Sequence, residues 1–216
     1  ELYNGMYISG YSSDMQLVGN HIHGGAFFNL DGSGGGPGHG IYCAANNSLI
    51  ENNLIHDVQG FGIQEYSSID PFPHDNVIRD NTVYDVGQGR HVAGGILSNG
   101  ARVQIYRNLV YDVRGADNDG GVGITAQAEA QKVYNNTVYN CSWIGLDLQG
   151  SNGAIVRNNI AYLNGQNTDF TGANGNGVPT NLTQSNNFIG TNPTFVNVGT
   201  GDFHLQATST AINAGI

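Results

Sequence analysis

His39 and Tyr42 flank Ile41, and Arg90 stands next to His91 further along the chain. These four side chains supply what proton abstraction beside a uronate carboxylate needs: a base titrating near neutral pH, an acid for the leaving oxygen, and positive charge beside the developing anion. They are the candidate catalytic set. A second group, Gln64, Tyr66, Asn99, Gln127, Asp147 and Gln149, falls at alternating positions of short apolar segments. In a strand such positions face away from the core. Rings and amides on a flat outward face suit sugar rings and their hydroxyls, so these six are read as substrate-binding residues. Asp117-Asn118-Asp119-Gly120-Gly121 alternates oxygen ligands and carries the glycine of a calcium loop, although it is short and has no distal glutamate. Asp117 and Asp119 are its metal ligands on that reading, and calcium is the one cofactor suggested.

Such residues need elements to carry them, and the chain contains a repeat that does so. An Asn, one residue, then a small or branched apolar residue recurs seven times, from Asn20, Asn53, Asn81, Asn108, Asn136, Asn159 and Asn187. A glycine followed by a large apolar residue alternates with it: Gly5-Met6, Gly40-Ile41, Gly62-Ile63, Gly95-Ile96, Gly123-Ile124, Gly145-Leu146 and Gly177-Val178. The shortest full cycle, Gly40 to Gly62 and again Gly123 to Gly145, takes 22 residues. Short apolar strands joined by Asn and Gly turns at that spacing define an all-β fold. It is a single-stranded, right-handed parallel β-helix of about seven rungs, in which each rung buries its neighbours' apolar faces. The expected domain is the whole of 1–216, with the last rung and a C-terminal segment at about 181–216. The Asn column belongs at inward bends, where amides bond between rungs and left-handed φ is tolerated. His23, His56, Tyr84, Tyr111, Tyr139 and Tyr162, each three residues after an Asn, read as a structural ladder of stacked rings.

Four arcs exceed the minimum of 9 residues that runs from Asn53 to Gly62. Their extra residues, 24–38, 87–93, 114–121 and 165–176, fall at one corner of the coil, and a further insertion, 67–76, falls on the other side of the Gly-Ile strand. Insertions that coincide beside a rigid scaffold make a groove, so the outward face of the Gly-Ile strands is the expected site. Hydrolysis there would need two carboxyl groups about 5 to 9.5 Å apart. Asp147 and Glu65 stand about three rungs apart, and Glu65 sits where alternation can turn it inward. Cys43 and Cys141 are also about three rungs apart, roughly 14 Å. That exceeds disulfide reach and predicts two buried free thiols.

Seven Lys and Arg against 17 Asp and Glu give a net charge of −10, and Lys132 is the only lysine. Phosphate binding draws on clustered cations, so nucleic acid is excluded as a partner. A strongly anionic polysaccharide would be repelled unless a cation or a local Arg/His cluster intervened. No apolar run is long enough to cross a bilayer, and no membrane insertion is expected. The sequence starts mid-pattern at Glu1. This suggests a native chain longer at its N-terminus. An uncovered coil end exposes strand edges and core, so end-to-end contact with another domain or subunit is expected there.

The Asn-x-Ile and Gly-Ile rungs resemble the parallel β-helix repeat proteins of the pectate lyase-like superfamily, over nearly the whole chain. The closing stretch, Asn192-Pro193-Thr194-Phe195-Val196-Asn197 through Gly201-Asp202-Phe203-His204-Leu205 and Ala211-Ile212-Asn213-Ala214-Gly215, resembles the terminal segment of many secreted bacterial members. That likeness implies a secreted or extracellular protein acting on polysaccharide in a groove beside the first strand of each rung. Gly36-Pro37-Gly38-His39-Gly40-Ile41 is similar to a polygalacturonase signature, which would put a functional histidine at His39. The paired aspartates that should precede it and the Arg-Ile-Lys that should follow are missing, and Asn167-Thr168-Asp169 lies in the wrong order. Asp70-Pro71 with His74-Asp75 resembles mannuronan epimerases only in part, and lies in an insertion. Many lyases of the superfamily use a Lys or Arg base, a role that would fall to Arg90. The leading expectation is a secreted protein that binds or cleaves polysaccharide as a lyase or hydrolase. The alternative is a non-catalytic structural or adhesive β-helix, such as a surface fibre or spike module. Convergence of His39, Tyr42, Arg90 and His91 in one cleft would favour the enzyme.

Overall fold

The computed structural model describes residues 4–8, 10–24, 38–68, 72–87, 93–115, 121–172 and 177–215. Through them the chain climbs as a parallel β-helix with three faces per turn. Sheet A stacks Asn4–Ile8, His39–Cys43, Ile63–Glu65, Gly94–Ser98, Val122–Ala126, Ile144–Asp147 and Gln166–Asp169. Sheet B stacks Gln16–Val18, Leu49–Glu51, Val77–Arg79, Gln104–Tyr106, Lys132–Tyr134, Ile155–Arg157 and Thr183–Ser185. Sheet C stacks His21–His23, Leu54–His56, Thr82–Tyr84, Leu109–Tyr111, Thr137–Tyr139, Ile160–Tyr162 and Phe188–Ile189. Each sheet holds seven parallel strands, one per rung, as the repeat predicts.

The strands of sheet B are three residues long, and in most only the middle side chain is buried. Those middle positions are Leu17, Ile50, Ile78, Ile105, Val133 and Val156, all buried, and sheet C adds Ile55, Val83, Val110, Val138 and Ala161. Ile41, Ile63, Ile96, Ile124 and Leu146 close the core from sheet A. One branched apolar residue per strand is enough because the rungs above and below complete its surroundings. Between sheets B and C the chain turns on a single residue of left-handed φ. Asn52, Asp80, Arg107, Asn135, Asn158 and Asn186 all lie between 51° and 57° there. Asn and Asp tolerate that region best, which accounts for five of these six residues.

The Asn that follows each turn points inward. Nδ2 of Asn20 donates to Oδ1 of Asn53 at 2.8 Å, Asn53 to Asn81 at 2.9 Å, and Asn81, Asn108 and Asn136 each to the next at 3.0 Å. Asn159 completes the ladder onto Asn187 at 2.9 Å. Each Oδ1 also accepts the backbone N–H of the Asn one rung earlier. The glycine column of sheet A has a different cause, namely close approach to sheet C. A Cβ on Gly95 would lie 2.3 Å from Val110 Cγ1 and 2.5 Å from the Gly123 oxygen.

Two features depart from the sequence reading. The seventh strand of sheet A is Gln166–Asp169, not the Gly177-Val178 copy of the motif, and Val178 is 65% exposed outside any strand. The arc length carried the better signal, because Asn167, the register position of Gly145, lies eight residues on from Asn159, within one residue of the nine-residue minimum. Among the described residues no strand pairs with it on its far side, so no further rung demands an apolar residue there and a polar strand is tolerated. The second feature is an antiparallel hairpin of Phe195–Asn197 and Asp202–Leu205 beyond the seventh rung. It lays Phe203 against Tyr111 (ring centroids 4.7 Å apart) and Tyr139 (5.4 Å), with Phe195 5.9 Å from Tyr139. The ring ladder of sheet C is therefore stacked from His23 through His56 and Tyr84 to Tyr111, and covered by the hairpin beyond that. Cys43 and Cys141 are buried free thiols; burial pushes Cys43 up to about 11 and raises Cys141 further. Among the described residues no helix is long and apolar enough to cross a membrane.

Candidate functional site

The outward face of sheet A carries one side chain per rung in continuous register: Tyr7, Tyr42, Gln64, Leu97, Thr125, Asp147 and Asp169. Exposure falls along it, from 63% at Tyr7 to 4% at Asp147 and 0% at Asp169. A second outward column, two residues further on, runs Ala44, Tyr66, Asn99, Gln127 and Gln149. All six residues read as substrate-binding therefore stand on one face.

At the open end Tyr7 and Tyr42 stack at 5.4 Å with planes 28° apart. His39, on the same strand as Tyr42, lies 5.9 Å from it and 5.7 Å from Phe61, ring centre to ring centre. The Phe61 backbone N–H donates to His39 Nδ1 at 3.0 Å, so the neutral ring carries its proton on Nε2. Burial lowers His39 to about 4, which leaves it uncharged at neutral pH. With Nδ1 engaged and Nε2 protonated, the ring is placed to donate rather than to take a proton. Burial, then Tyr7 and Tyr66, hold the Tyr42 hydroxyl above its ordinary value, so Tyr42 keeps its proton as well. Arg90 and His91 lie outside the described residues, as do Asp117 and Asp119 and most of the 24–38, 87–93 and 114–121 insertions; the fourth expected insertion, 165–176, instead supplies the strand Gln166–Asp169 of sheet A.

In the middle of the face two amide oxygens, Gln64 Oε1 and Asn99 Oδ1, are buried without a hydrogen-bond partner. They lie on successive rungs, since Gln64 pairs with Leu97, two residues before Asn99. Leaving buried acceptors unpaired costs roughly 1–3 kcal/mol each, and Gln64 stands beside Tyr42 in register.

At the far end the structure brings together a pair that the sequence reading missed. Asp147 and Asp169 are register partners on adjacent rungs, and neighbouring strands lie about 4.8 Å apart. Asp147 Oδ2 accepts from Gln127 Nε2 at 3.1 Å, and its Oδ1 accepts from the Gln149 backbone N–H at 3.0 Å. Asp169 Oδ1 accepts from the Thr171 N–H, the Thr171 hydroxyl and the Gly172 N–H at 2.9 to 3.0 Å. Burial foremost, with the charge of Asp169 adding to it, raises Asp147 above the usual carboxylate range. Their carboxyl groups therefore stand on neighbouring strands of one face, and the raised Asp147 is the one more readily protonated against its ordinary value. The arc from Asn159 to Asn167, the register position of Gly145, is eight residues, so counting the nine-residue minimum would have pointed one residue on, to Phe170.

Glu65, the other candidate carboxylate, points into the solenoid and is fully buried. Its oxygens accept from Asn76 Nδ2 (2.7 Å), the Ser98 hydroxyl (2.7 Å) and the Gly100 N–H (2.9 Å). It belongs to the interior. Among the described residues no three His, Cys, Asp or Glu side chains, as placed, converge to hold a metal ion.

Fold and site together define a parallel β-helix. A family model for the right-handed β-helix region matches residues 1–111, just over half of the chain, and the chain belongs to that family. Among solved structures it is similar to the pectate lyase Pel9A, at 15% identity and a TM-score of 0.42, over 82% of this chain and 63% of that one. The chain thus spans less than two thirds of that enzyme's length. Full-length QnrB1, a plasmid-mediated fluoroquinolone resistance protein, matches at 10% identity and a TM-score of 0.16, over 81% of this chain and 93% of its own. Likeness at these levels concerns fold alone. No curated protein matches.

Proposed function

We propose that this is a secreted, carbohydrate-active β-helix protein that binds a polysaccharide along the outward face of sheet A. The unpartnered pair Gln64 Oε1 and Asn99 Oδ1, flanked by the Tyr7–Tyr42 stack, carries this reading. Turning the half-buried Gln64 and Asn99 side chains outward would pair their amides with sugar hydroxyls while the rings take the flat face of a pyranose. The net charge of −10 favours a neutral glycan, or an anionic one bridged by a cation such as calcium. We assign cleavage to Asp147 and Asp169, which stand on adjacent rungs of the same face, since retaining glycoside hydrolysis uses two closely spaced carboxyl groups. The raised Asp147 is the acid, and a neutral His39 with an occupied Nδ1 makes hydrolysis the better reading than β-elimination.

The test is a screen of the protein against neutral glucans, pectate, alginate and glycosaminoglycans, with and without calcium. Binding, new reducing ends and the ultraviolet absorbance of unsaturated ends are followed together. Asn99→Ala should weaken binding about tenfold without destabilising the fold, since it removes a buried oxygen that has no partner in the free protein. Absence of binding to every glycan would overturn the proposal. A second reading, a non-catalytic extracellular structural or adhesive module, is favoured by the near-complete burial of Asp147 and Asp169 and by the donors already on their oxygens. Binding without any new chain ends would select it.

A further inference from the structure

A different face of the solenoid gathers three imidazoles. His21 and His23 are two residues apart on the first strand of sheet C, so both point outward around Ile22. His56, on the second strand, is the register partner of His23. The ring centroids lie 4.7 Å apart for His21–His23, 5.0 Å for His21–His56 and 5.2 Å for His23–His56. His21 Nε2 and His56 Nε2 meet at 2.8 Å, which requires one proton between two lone pairs. On its other side His56 Nδ1 lies 2.6 Å from Asp57 Oδ2. Donation from Nδ1 to that carboxylate fixes the tautomer and leaves Nε2 of His56 as the lone pair that faces His21.

We propose that His21, His23 and His56 form a surface site for one divalent transition-metal ion of borderline softness: zinc, copper or nickel. The ion takes the place of the proton shared by His21 and His56. Imidazole nitrogens are the preferred ligands of these ions, and a carboxylate on the far nitrogen of a ligating histidine is the usual orienting partner, here Asp57. Zinc–nitrogen bonds of about 2.0–2.1 Å at tetrahedral angles hold two ligand nitrogens roughly 3.3 Å apart. His21 and His56 therefore open by about half an ångström from their metal-free contact. His23, stacked on His56 with planes 5° apart, turns about its side-chain torsions to bring in the third nitrogen. His21 and His23 are exposed, so neither movement disturbs the core, and the fourth coordination position stays open to water. The net charge of −10 favours a bound cation. This site lies on sheet C and is independent of the glycan face proposed for sheet A.

The experiment is calorimetric titration of the tag-free full chain with zinc near neutral pH, followed by nickel titration monitored through the histidine ring NMR signals. One ion per chain is expected, with His21, His23 and His56 broadened before His74 and His204. His21→Ala and His56→Ala should each weaken binding at least tenfold. Asp57→Asn should weaken it by about 10–100-fold, and His204→Ala should leave it unchanged. Circular dichroism of each variant checks folding. The proposal is overturned if no saturable one-ion binding is found, if His21→Ala or His23→Ala binds as tightly as the parent, or if His204→Ala removes the binding.

Discussion

Glu65 shows how a single group ties the interior to solution pH. Three donors reach it, from Asn76, Ser98 and Gly100, and Gln131 Nε2 in turn donates to the Ser98 hydroxyl at 2.7 Å. Burial nevertheless outweighs these bonds and holds the carboxyl above its ordinary value of 4.5. A carboxyl raised in the folded state stabilises when protonated. Its contribution is complete below 4.5 and is lost as pH rises through the raised value. The urea midpoint of the parent, measured against that of Glu65→Gln, should therefore fall as pH is raised from 4.5 toward neutrality; parallel curves would refute this. Asp147 obeys the same rule with a different readout. If it is the acid of a hydrolase, the basic limb of the rate profile reports its raised value, and Asp147→Asn should abolish cleavage while binding persists. At this scale legibility was uneven. Alternation alone located Gln64, Asn99, Gln127 and Asp147. Asp169 was hidden because its strand carries none of the Gly-Ile pattern, and nothing in the spacing could show that Gln64 and Asn99 keep buried oxygens without partners.

Among the elements, the asparagine ladder and the glycine column make opposite demands. Asn108 Oδ1 accepts both the backbone N–H and Nδ2 of Asn81, and its own Nδ2 donates to Ile78 O and Asn136 Oδ1. Asn108→Ala would strand the buried donors of Asn81. At roughly 1–3 kcal/mol for each unsatisfied group, the loss should be about 2–5 kcal/mol in urea unfolding. Asn187→Ala, at the half-buried end of the ladder, should cost less. Gly95→Ala fails by crowding instead, since its Cβ would meet Val110 Cγ1 and the Gly123 oxygen, both part of the packed interior. Overpacking of this kind costs about 1–3 kcal/mol. These elements were readable because each residue type has one physical job repeated seven times, and the repeats add up. The exception was the last rung, where an edge removes the constraint that makes the pattern visible. The hairpin of Phe195–Asn197 and Asp202–Leu205 was legible only as a terminal segment, because two phenylalanines packing on a tyrosine ladder leave no periodic trace.

For the molecule as a whole, that hairpin closes one side of the solenoid. Phe203 touches Tyr111 and Tyr139, and Phe195 touches Phe203 at 5.1 Å. Phe203→Ala should cost about 1–2 kcal/mol for the half-buried ring and alter the near-ultraviolet tyrosine dichroism, while far-ultraviolet signal stays that of an intact β-helix. Loss of the whole β signal would mean that the hairpin is required for folding and is not merely a cover. The asparagine ladder also has a consequence at this scale. From Asn53 to Asn187 each side-chain carbonyl accepts from the rung before, and from Asn20 to Asn159 each side-chain amide donates to the rung after. The amide dipoles therefore point the same way along the whole axis and do not cancel, giving the rod a negative head and a positive tail inside a low-dielectric core. Two such rods can continue one another's ladder only head to tail. Any filament that extends the ladder is consequently polar, with chemically distinct growing ends.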